Sequence, residues 1–445
     1  MRVTSVFADI GRGTARDFAA LESAVRIYCR TFDRVFARAR GSVLFDQDGN
    51  RFIDFLSGAG VLNYGHNNAR IKQALVEYLE DDGILHSLDL HTAAKLAFLR
   101  ALRDIIFAPR GMDYRVQFCG PTGADSVEAA LKLARKVTNR STVVAFTNAF
   151  HGMSLGALAV TANPQKRASA GVPLEHVVRV PFDGKLGPDV DTIGMLRAVL
   201  TRAGAARPAA IIVETVQAEG GINVASVQWL RRLAEVASAE GVVLIVDDIQ
   251  VGCGRTGTFF SFERAGIRPD IICVSKAIGG IGMPMALTLI KPELDQWKPG
   301  AHTGTFRGNN LAFVAAAAAL DYWRDNAIEA EIGRNSRRVR EALDEIAARH
   351  PDHCERVRGL GMIQGIAWRD PELGAAISKA AFSRGLIVET CGPDDEVTKL
   401  LPPLMIAPDE LEQGLSILSD AADEATAQVR PARAHRQMRQ AGSAP

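Results

Sequence analysis

Two apolar runs of this sequence end close to reactive side chains. Val242 to Val246 stops at Asp247, and Ile271 to Val274 is followed, one serine later, by Lys276. Because ligands bind outside the carboxyl ends of strands in an open parallel sheet, we expect this aspartate and this lysine to face one pocket. A lysine that bonds to an aldehyde and a carboxylate that keeps a ring nitrogen protonated are what a protein supplies to pyridoxal phosphate (PLP) chemistry. The two side chains together predict a PLP enzyme.

Lys276 is the residue on which this prediction depends. Residues 273–280, Cys-Val-Ser-Lys-Ala-Ile-Gly-Gly, leave little room for solvent around it. An apolar surrounding disfavours the charged ammonium, and the neutral amine is the nucleophile. The plain alternative is a surface lysine in a loop, which the flanking residues disfavour.

Asp247 and its neighbour Asp248 end the same strand, where adjacent side chains point to opposite faces. We assign Asp247 to the pocket, where a carboxylate would raise the pKa of the ring nitrogen and keep the ring an electron sink. The alternative is a structural carboxylate that caps the following turn. Gln250, three residues on, could donate to the ring oxygen of the cofactor.

A glycine-rich turn precedes a helical pattern. Thr122 and Asp125 stand at capping-box spacing, so the N–H groups of Gly123 and Ala124 lie at the positive end of a helix and could hold a phosphate. The alternative is a well-capped helix without a ligand. Phe150 follows another predicted strand, where it could stack on the flat cofactor ring or be an ordinary core phenylalanine.

Two further motifs favour other functions. Residues 252–257, Gly-Cys-Gly-Arg-Thr-Gly, satisfy G-x-G-x-x-G, but an aromatic-rich run follows instead of a helix, and no second strand ends in an acidic residue about twenty residues on. Residues 152–156, Gly-Met-Ser-Leu-Gly, satisfy the G-x-S-x-G elbow of α/β-hydrolases, with Ser154 as nucleophile. That function needs an acid and a histidine at later strand ends, and neither His302 nor His353 lies in such a context. A serine hydrolase is the alternative from another reaction class.

The composition of the 445-residue chain is that of an ordinary globular protein, with 47% hydrophobic and 23% charged residues. Fifty-two basic and fifty-one acidic residues give a net charge of +1, which argues against nucleic acid or an anionic membrane as a partner. The six cysteines are scattered singly, so no metal site and no disulfide framework is suggested. We recognise no signal peptide and no membrane-spanning run, and a reducing cytoplasm fits best.

Apolar runs that alternate with helical patterns after Leu56 predict an α/β fold with a mostly parallel sheet flanked by helices. Strands are expected at 115–118, 142–146, 209–213, 242–246, 271–274 and 285–290, and helices at 69–81, 127–137 and 227–239. A helix from about Phe18 to Arg38 and a hairpin at 42–55 are expected before them. The expected domains are an N-terminal cap segment 1–56 that joins the small domain, a large domain 57–320, a smaller α+β domain 321–429, and a disordered tail 430–445.

In combination these motifs resemble the class III aminotransferases of PLP fold type I, from about Phe18 to Asp420. The matching segments are Thr122-Gly123-Ala124 with 128–132, Phe150-His151-Gly152, 214–217, 247–250, Ser275-Lys276 and 304–306. The residues at 118–123, 148–153 and 304–310 resemble those of the members that move an amino group from glutamate to the aldehyde of aspartate 4-semialdehyde. Such members supply 2,4-diaminobutyrate for ectoine, siderophore or peptide synthesis. Members that act on ornithine, acetylornithine or 4-aminobutyrate are the nearer alternatives.

The resemblance implies a role for each matching residue. The implied roles are Lys276 as the Schiff-base lysine, Asp247 at the ring nitrogen, Gln250 near the ring hydroxyl, Thr122, Gly123 and Ala124 at the phosphate, Phe150 on the ring, and His151 and Glu214 beside the cofactor. The resemblance also implies a homodimer, or a higher oligomer of dimers, with shared active sites. In such a dimer Thr305 would reach the phosphate bound by the neighbouring subunit.

Two positions depart from the family pattern. Relatives that handle ornithine or 4-aminobutyrate often pair a glutamate side chain with an arginine. That pair must separate so that the arginine can bind the α-carboxylate of the glutamate substrate. Glu219 matches that glutamate, but Lys399 stands where the arginine is expected, and Ala218 replaces a glycine. Lysine lacks the planar bidentate fork of arginine, so the resemblance does not by itself imply the carboxylate exchange of those relatives at this position. Glu219 and Lys399 are the predicted substrate-binding residues.

Overall fold

The N-terminal part of the chain forms short helices and a three-stranded meander in the computed structural model, which describes residues 13–202 and 206–429. Its elements are α1 (Ala15–Leu21), α2 (Tyr28–Thr31), β1 (Phe36–Arg40), β2 (Val43–Asp46) and β3 (Arg51–Asp54). Strands β2 and β3 confirm the predicted hairpin. The predicted helix up to Arg38 is wrong, because Val25 and Ile27 are exposed and a long helix would have no buried face. The predicted tail 430–445 lies outside the described residues.

The next part of the chain alternates strands with helices. Its elements are α3 (Ser57–Gly60), α4 (Ala69–Glu80), α5 (Ala93–Ala101), β4 (Arg115–Phe118), α6 (Gly123–Thr138), β5 (Val143–Phe146), α7 (Leu155–Val160), α8 (Pro164–Ala168), β6 (Val177–Val180), α9 (Thr192–Leu200), β7 (Ala210–Val213), β8 (Val216–Gln217), β9 (Asn223–Val224), α10 (Val227–Ala239), β10 (Val243–Asp247), β11 (Ile271–Val274), β12 (Leu287–Ile290) and α11 (Asn310–Leu320). A π-helical segment covers Leu102–Phe107, and 3-10 turns cover Ala108–Arg110, Glu263–Ala265, Lys276–Gly279, Pro292–Leu294 and Asp321–Trp323. The predicted strands are all present within one or two residues, and β6 is a strand that the pattern missed.

Seven of these strands form one sheet in the order β4-β12-β11-β10-β7-β5-β6. All neighbours are parallel except β12, which is antiparallel to both β4 and β11. The predicted mostly parallel sheet is therefore confirmed. Strands β10 and β11 are adjacent, so the strand ends that carry Asp247 and Lys276 meet at the same edge.

Alternate residues of the central strands pack into two separate cores, as the two-residue period of a strand requires. Leu244 and Ile211 pack on the face covered by Trp229 of α10. Ile245 packs on the opposite face, against Leu131 of α6. Burial of both faces explains why these strands read as continuous apolar runs.

The C-terminal part of the chain is a smaller α+β unit. Its elements are α12 (Ala327–Arg349), β13 (Cys354–Leu360), β14 (Ile363–Trp368), α13 (Pro371–Ser383), β15 (Leu386–Ile387), β16 (Glu389–Cys391), β17 (Val397–Leu400) and α14 (Pro408–Gln428). Four of the strands form an antiparallel sheet in the order β13-β14-β17-β16. Strand β15 pairs instead with β3 in parallel, which ties the N-terminal meander to this unit. The domain boundaries near residues 56 and 320 stay predictions.

The cysteines and the helix lengths bear on two further expectations. All six cysteines carry free thiols; five are buried and Cys29 is exposed. Within the described ranges, no helix combines the length and the apolar character that crossing a membrane requires.

Candidate active site

Lys276 stands at the carboxyl end of β11 in a constrained backbone. The Ser275 hydroxyl donates to the Met285 carbonyl at 2.8 Å, which fixes the strand end. Lys276 itself has φ +53°, a left-handed conformation that a lysine adopts only when its surroundings impose it. The turn therefore holds the lysine side chain at the edge of the sheet.

The Lys276 amine is held inside the protein. Its Nζ donates to the Ala59 carbonyl at 2.9 Å, and the same oxygen accepts from Gln250 Nε2 at 2.9 Å. Ala59 belongs to α3, a single turn in which Gly58 and Ala59 have left-handed dihedral angles. Burial lowers the pKa of Lys276, with Glu219 opposing that effect, so the neutral nucleophilic amine is favoured relative to a lysine in water.

Asp247 ends β10 and is held by two hydrogen bonds. Its Oδ2 lies 2.7 Å from His151 Nδ1, and its Oδ1 accepts from the Ile249 N–H at 3.1 Å. His151 is itself buried, and its backbone N–H donates to the Thr161 hydroxyl at 2.9 Å. The carboxylate is therefore fixed in position and can present its remaining lone pairs to a ligand in the cavity.

Asp248 points away and bonds within the protein. Both of its oxygens accept hydrogen bonds from Ser261, through the backbone N–H and the hydroxyl. Burial raises the pKa of Asp248 to about 7, although the bonds from Ser261 oppose that rise. Of the two adjacent aspartates, the one that the sequence assigned to the pocket faces the cavity, and the other is structural.

The start of α6 forms the side of the cavity where an anion would bind. The helix begins at Gly123, and Thr122 and Asp125 form the predicted capping box, with the Thr122 hydroxyl 3.1 Å from the Asp125 carboxylate. Gly152 packs against this turn with φ +130°, and a Cβ at Gly152 would lie 2.7 Å from the Cβ of Ala124. Free N–H groups of a helix start favour a phosphate in this place.

Phe150 is positioned by a buried glutamate. Its backbone N–H donates to Glu214 Oε2 at 3.0 Å. Burial raises the pKa of Glu214 well above its usual value, and the nearby charge of Asp247 raises it further. Lys166 lies 4.5 Å from the centre of the Phe150 ring. The aromatic ring is thus fixed at the cavity wall.

One cavity at this edge of the sheet brings most of the predicted residues together. Its lining consists of Gly123, Ala124, Phe150, His151, Gly152, Glu214, Glu219, Asp247, Ile249, Gln250, Val251 and Lys276. Three predicted residues do not line it. Thr122 is exposed at the helix start, Lys399 is buried behind Glu219, and Thr305 lies on an exposed loop with its carbonyl 3.0 Å from His86 Nε2. The roles predicted for Thr122 and Thr305 stay predictions.

Lys399 is the centre of a buried ionic cluster that includes a residue the sequence analysis missed. Its Nζ lies 2.7 Å from Glu219 Oε1 and 3.1 Å from Glu389 Oε1. Burial alone would lower the pKa of Lys399, but the two carboxylates outweigh it and raise the pKa well above the usual value. The signal that could have found Glu389 is the short hairpin of β16 and β17, whose alternation places two polar residues on one buried face.

The two rival motifs do not form the sites that they would require. The Ser154 hydroxyl donates to Glu128 Oε1 at 2.7 Å, and the same oxygen accepts from the Gly156 N–H at 2.8 Å. Ser154 thus stands just before α7 with its hydroxyl bonded to a carboxylate rather than to a histidine. Residues 252–257 form a turn that leads into further turns, without the helix that a dinucleotide site needs.

The side chains of the cavity fit PLP. They combine an amine, a fixed carboxylate, an aromatic ring and a helix start, which are the groups that a phosphorylated aromatic aldehyde requires. Among the described residues, the Gln250 side-chain oxygen and His151 Nε2 are buried without a hydrogen-bond partner. Unpaired buried polar atoms indicate a place for a polar ligand.

The sequence matches the aminotransferase class-III family over residues 28–422. The chain therefore belongs to the class III aminotransferases, and membership implies PLP as its cofactor. It is similar to the diaminobutyrate–2-oxoglutarate transaminase of Nocardia farcinica, at 57% identity over 91% of this chain and 93% of the relative. The enzyme of the same name from Virgibacillus pantothenticus is 54% identical over 90% of this chain and 97% of the relative.

Solved structures agree on the fold. The ornithine aminotransferase of Toxoplasma gondii superposes with a TM-score of 0.82 at 24% identity, over 94% of this chain and 97% of that one. A Bacillus anthracis aminotransferase gives a TM-score of 0.82 at 23% identity, over 92% and 97%. At such identities the likeness is one of fold, and it confirms the predicted α/β architecture of PLP fold type I.

Proposed function

We propose that this transaminase moves the amino group of L-glutamate to the aldehyde of L-aspartate 4-semialdehyde, which gives L-2,4-diaminobutyrate and 2-oxoglutarate. Support comes from the relatives at 57% and 54% identity, whose names state the diaminobutyrate and 2-oxoglutarate pair. The single observation that carries the chemistry is the cavity that contains both Lys276 and Asp247.

Lys276 and Asp247 are the proposed catalytic residues. When bound, PLP supplies an electron-withdrawing ring that stabilises negative charge on the reacting carbon of the substrate. Burial lowers the pKa of the Lys276 amine. The amine can therefore take the proton from the reacting carbon of the substrate and deliver it to a carbon of the cofactor. The Asp247 carboxylate, 2.7 Å from His151, is fixed where it would keep the ring nitrogen protonated.

Other residues of the cavity would hold the cofactor. We assign the phosphate to the N–H groups of Gly123 and Ala124 at the start of α6. The flat ring is assigned to Phe150, whose backbone Glu214 fixes. The ring hydroxyl is assigned to Gln250, whose side-chain oxygen has no hydrogen-bond partner among the described residues and can accept from that hydroxyl.

Glu219 and Lys399 are the proposed substrate-binding residues. Glu219 lines the cavity, while Lys399 is fully buried at 2.7 Å behind it. A substrate carboxylate that takes the place of Glu219 would therefore meet the Lys399 ammonium. A substrate without a carboxylate next to its reacting carbon leaves the two side chains paired.

A panel of aldehydes with L-glutamate as donor tests the proposed substrate. The holoenzyme is assayed for 2-oxoglutarate with aspartate 4-semialdehyde, succinate semialdehyde, glutamate 5-semialdehyde and its N-acetyl form. We expect the first to have the highest kcat/KM, by about tenfold or more, because glutamate 5-semialdehyde is one methylene longer and succinate semialdehyde lacks the 2-amino group. A single methylene in a fitted pocket changes kcat/KM by roughly 10- to 200-fold, or about 1–3 kcal/mol. A higher value for another aldehyde contradicts the acceptor, and no 2-oxoglutarate with any of them contradicts glutamate as the donor.

We also propose that the enzyme is a homodimer in which Thr305 completes the phosphate site of the neighbouring subunit. Support comes from an exposed apolar patch around the Thr305 loop. The patch consists of Ile84, Leu85, Leu88, Leu90, Leu96 and Phe306. An apolar surface of this kind indicates a partner. Sedimentation should give the mass of two chains, Phe306→Asp should lower it, and a fully active monomer would contradict the proposal.

We also propose a cellular setting and a pathway for the product. Six free thiols support a reducing cytoplasm, which fractionation of cells would test. Supply of ectoine, siderophore or peptide synthesis follows from the proposed product, and the genes next to this one would decide among them.

A further inference from the structure

Lys399 has two carboxylate partners that differ in how they are held. Glu389 on β16 lies directly opposite Lys399 on β17 in the register of the antiparallel pair. The side chains of Lys399 and Glu389 are 0% and 7% exposed, whereas that of Glu219 is 23% exposed. Glu219 stands in the turn between β8 and β9 and reaches the cavity. One partner is thus embedded in a sheet, and the other lies at the cavity surface.

The second oxygen of Glu389 is held from another part of the chain. The Tyr28 hydroxyl of α2 donates to Glu389 Oε2 at 3.3 Å, while Glu389 Oε1 lies 3.1 Å from Lys399 Nζ. Glu389 is therefore positioned by its strand, by an ion pair with Lys399 that is not a hydrogen bond, and by the hydrogen bond from Tyr28. Glu219 is less enclosed, because its side chain is 23% exposed and lines the cavity, where Lys399 at 2.7 Å and the nearby Gln250 are its partners.

Separating a buried ammonium from its only carboxylate partner would be strongly unfavourable in free energy. Removing one member of a buried ion pair leaves an uncompensated charge, which is strongly unfavourable. If Glu219 were the only partner of Lys399, the ammonium would stay with Glu219 whenever Glu219 moved. A second carboxylate that does not move keeps the ammonium in place while the first is exchanged.

We propose that Glu389 is a positioning residue that holds Lys399 as a fixed carboxylate receptor, so that Glu219 alone gives way to the substrate. The inference rests on the proposed reaction with glutamate, whose α-carboxylate lies next to the reacting carbon. Diaminobutyrate, which reacts through its terminal amine, has no carboxylate at that position. Glu389 therefore matters for one half of the reaction and much less for the other.

Paired variants of the two glutamates test this inference in the holoenzyme. With Glu389→Gln we expect the KM for glutamate to rise about tenfold, because the ammonium now follows Glu219, while the KM for diaminobutyrate changes less than about threefold. With Glu219→Gln we expect the KM for glutamate to stay the same or fall, because the internal competitor is gone. Tyr28→Phe should give a smaller change in the direction of Glu389→Gln. Glu396→Gln, in the same hairpin but bonded to the Asp394 N–H, is the matched control and should match the wild type.

Binding of glutarate, measured by calorimetry, gives a second readout that needs no turnover. It should weaken in Glu389→Gln and stay equal or strengthen in Glu219→Gln. The inference is overturned if both variants shift glutarate binding in the same direction, or if Glu389→Gln affects glutamate and diaminobutyrate equally. A wild type that binds glutarate but does not transfer the amino group of glutamate contradicts the proposed function instead, and the glutarate comparison still decides the role of Glu389.

Discussion

Asp247 and Asp248 are chemically identical neighbours with opposite surroundings. Asp247 lies between His151 and the cavity, whereas Asp248 accepts hydrogen bonds from Ser261. The alternation of a strand was sufficient to predict that only one of the two faces the pocket. The assignment of Asp247 rather than Asp248 was made without a local pattern that tells the two faces of a doubly buried strand apart, and the family resemblance implied the same residue.

Replacing Asp247 by Asn should remove most of the activity. The neutral amide cannot keep a ring nitrogen protonated, so the conversion of bound cofactor by glutamate should slow by about a thousandfold or more. Stopped-flow absorbance measures this rate in a single turnover. Asp248→Asn is the matched control; it should lower the melting temperature and leave the rate within about threefold. Equal losses in both variants would remove the special role of Asp247.

The buried Lys276 amine should make the cofactor-free protein sensitive to pH. Its pKa is lowered in the folded protein, so the unfolded chain binds more protons and folding carries a cost at neutral pH. That cost fades as the pH rises towards the usual lysine value. Cofactor-free Lys276→Met should therefore be more stable than the wild type at pH 7, with a gain that shrinks towards pH 10 in thermal melts. A gain that grows with pH would contradict the burial of the charged amine, and Lys185→Met, at an exposed site, serves as the control.

At the scale of elements, the helix start that faces the cavity depends on Gly152. An alanine there would place its Cβ 2.7 Å from that of Ala124 and force the first turn of α6 to move. We expect the affinity for PLP to fall by about tenfold or more, because phosphate binding depends on position. Gly111→Ala is the control, with φ +58° and nothing within 4 Å of the new Cβ; it should cost about 1 kcal/mol of stability and leave the affinity unchanged. Equal PLP affinities in a fluorescence titration would contradict the cradle at α6.

Elements with a buried face were predictable, and elements without one were not. The strands around Asp247 and Lys276 and helix α10 follow the sequence pattern because their apolar faces pack on a core. The expected helix up to Arg38 is absent because the apolar residues of its pattern, Leu21, Val25 and Tyr28, are exposed. The left-handed turn α3 could not be predicted, because no sequence period marks it. Its Ala59 carbonyl accepts hydrogen bonds from Lys276 and Gln250, which are distant in the sequence.

At the scale of the whole molecule, a fully buried arginine joins three distant segments. The Arg255 guanidinium donates to the carbonyls of Met362 and Pro402 and to the side chain of Asn63. Burial lowers the pKa of Arg255 to about 9, with Asp54 opposing that effect. The sequence showed this residue only inside a G-x-G-x-x-G match, and its long-range partners give the arginine of that motif a structural role.

Loss of the Arg255 side chain should therefore destabilise the protein. Arg255→Met leaves three buried acceptors unsatisfied, which should cost about 3 kcal/mol or more and lower the melting temperature by several degrees. Differential scanning calorimetry measures the shift. Arg356→Met removes an arginine with 61% side-chain exposure and should change little. Equal melting temperatures for the two variants would contradict the structural role of Arg255.

The central claim is that Lys276 is the one amine that carries the cofactor. Borohydride reduction of the holoenzyme, followed by peptide mass spectrometry, locates the bond between amine and cofactor directly. The peptide that contains Lys276 should carry one pyridoxyl phosphate group, and Lys276→Met should carry none. A label on Lys399 or on any other lysine, or a wild type that takes up no label, would contradict the claim.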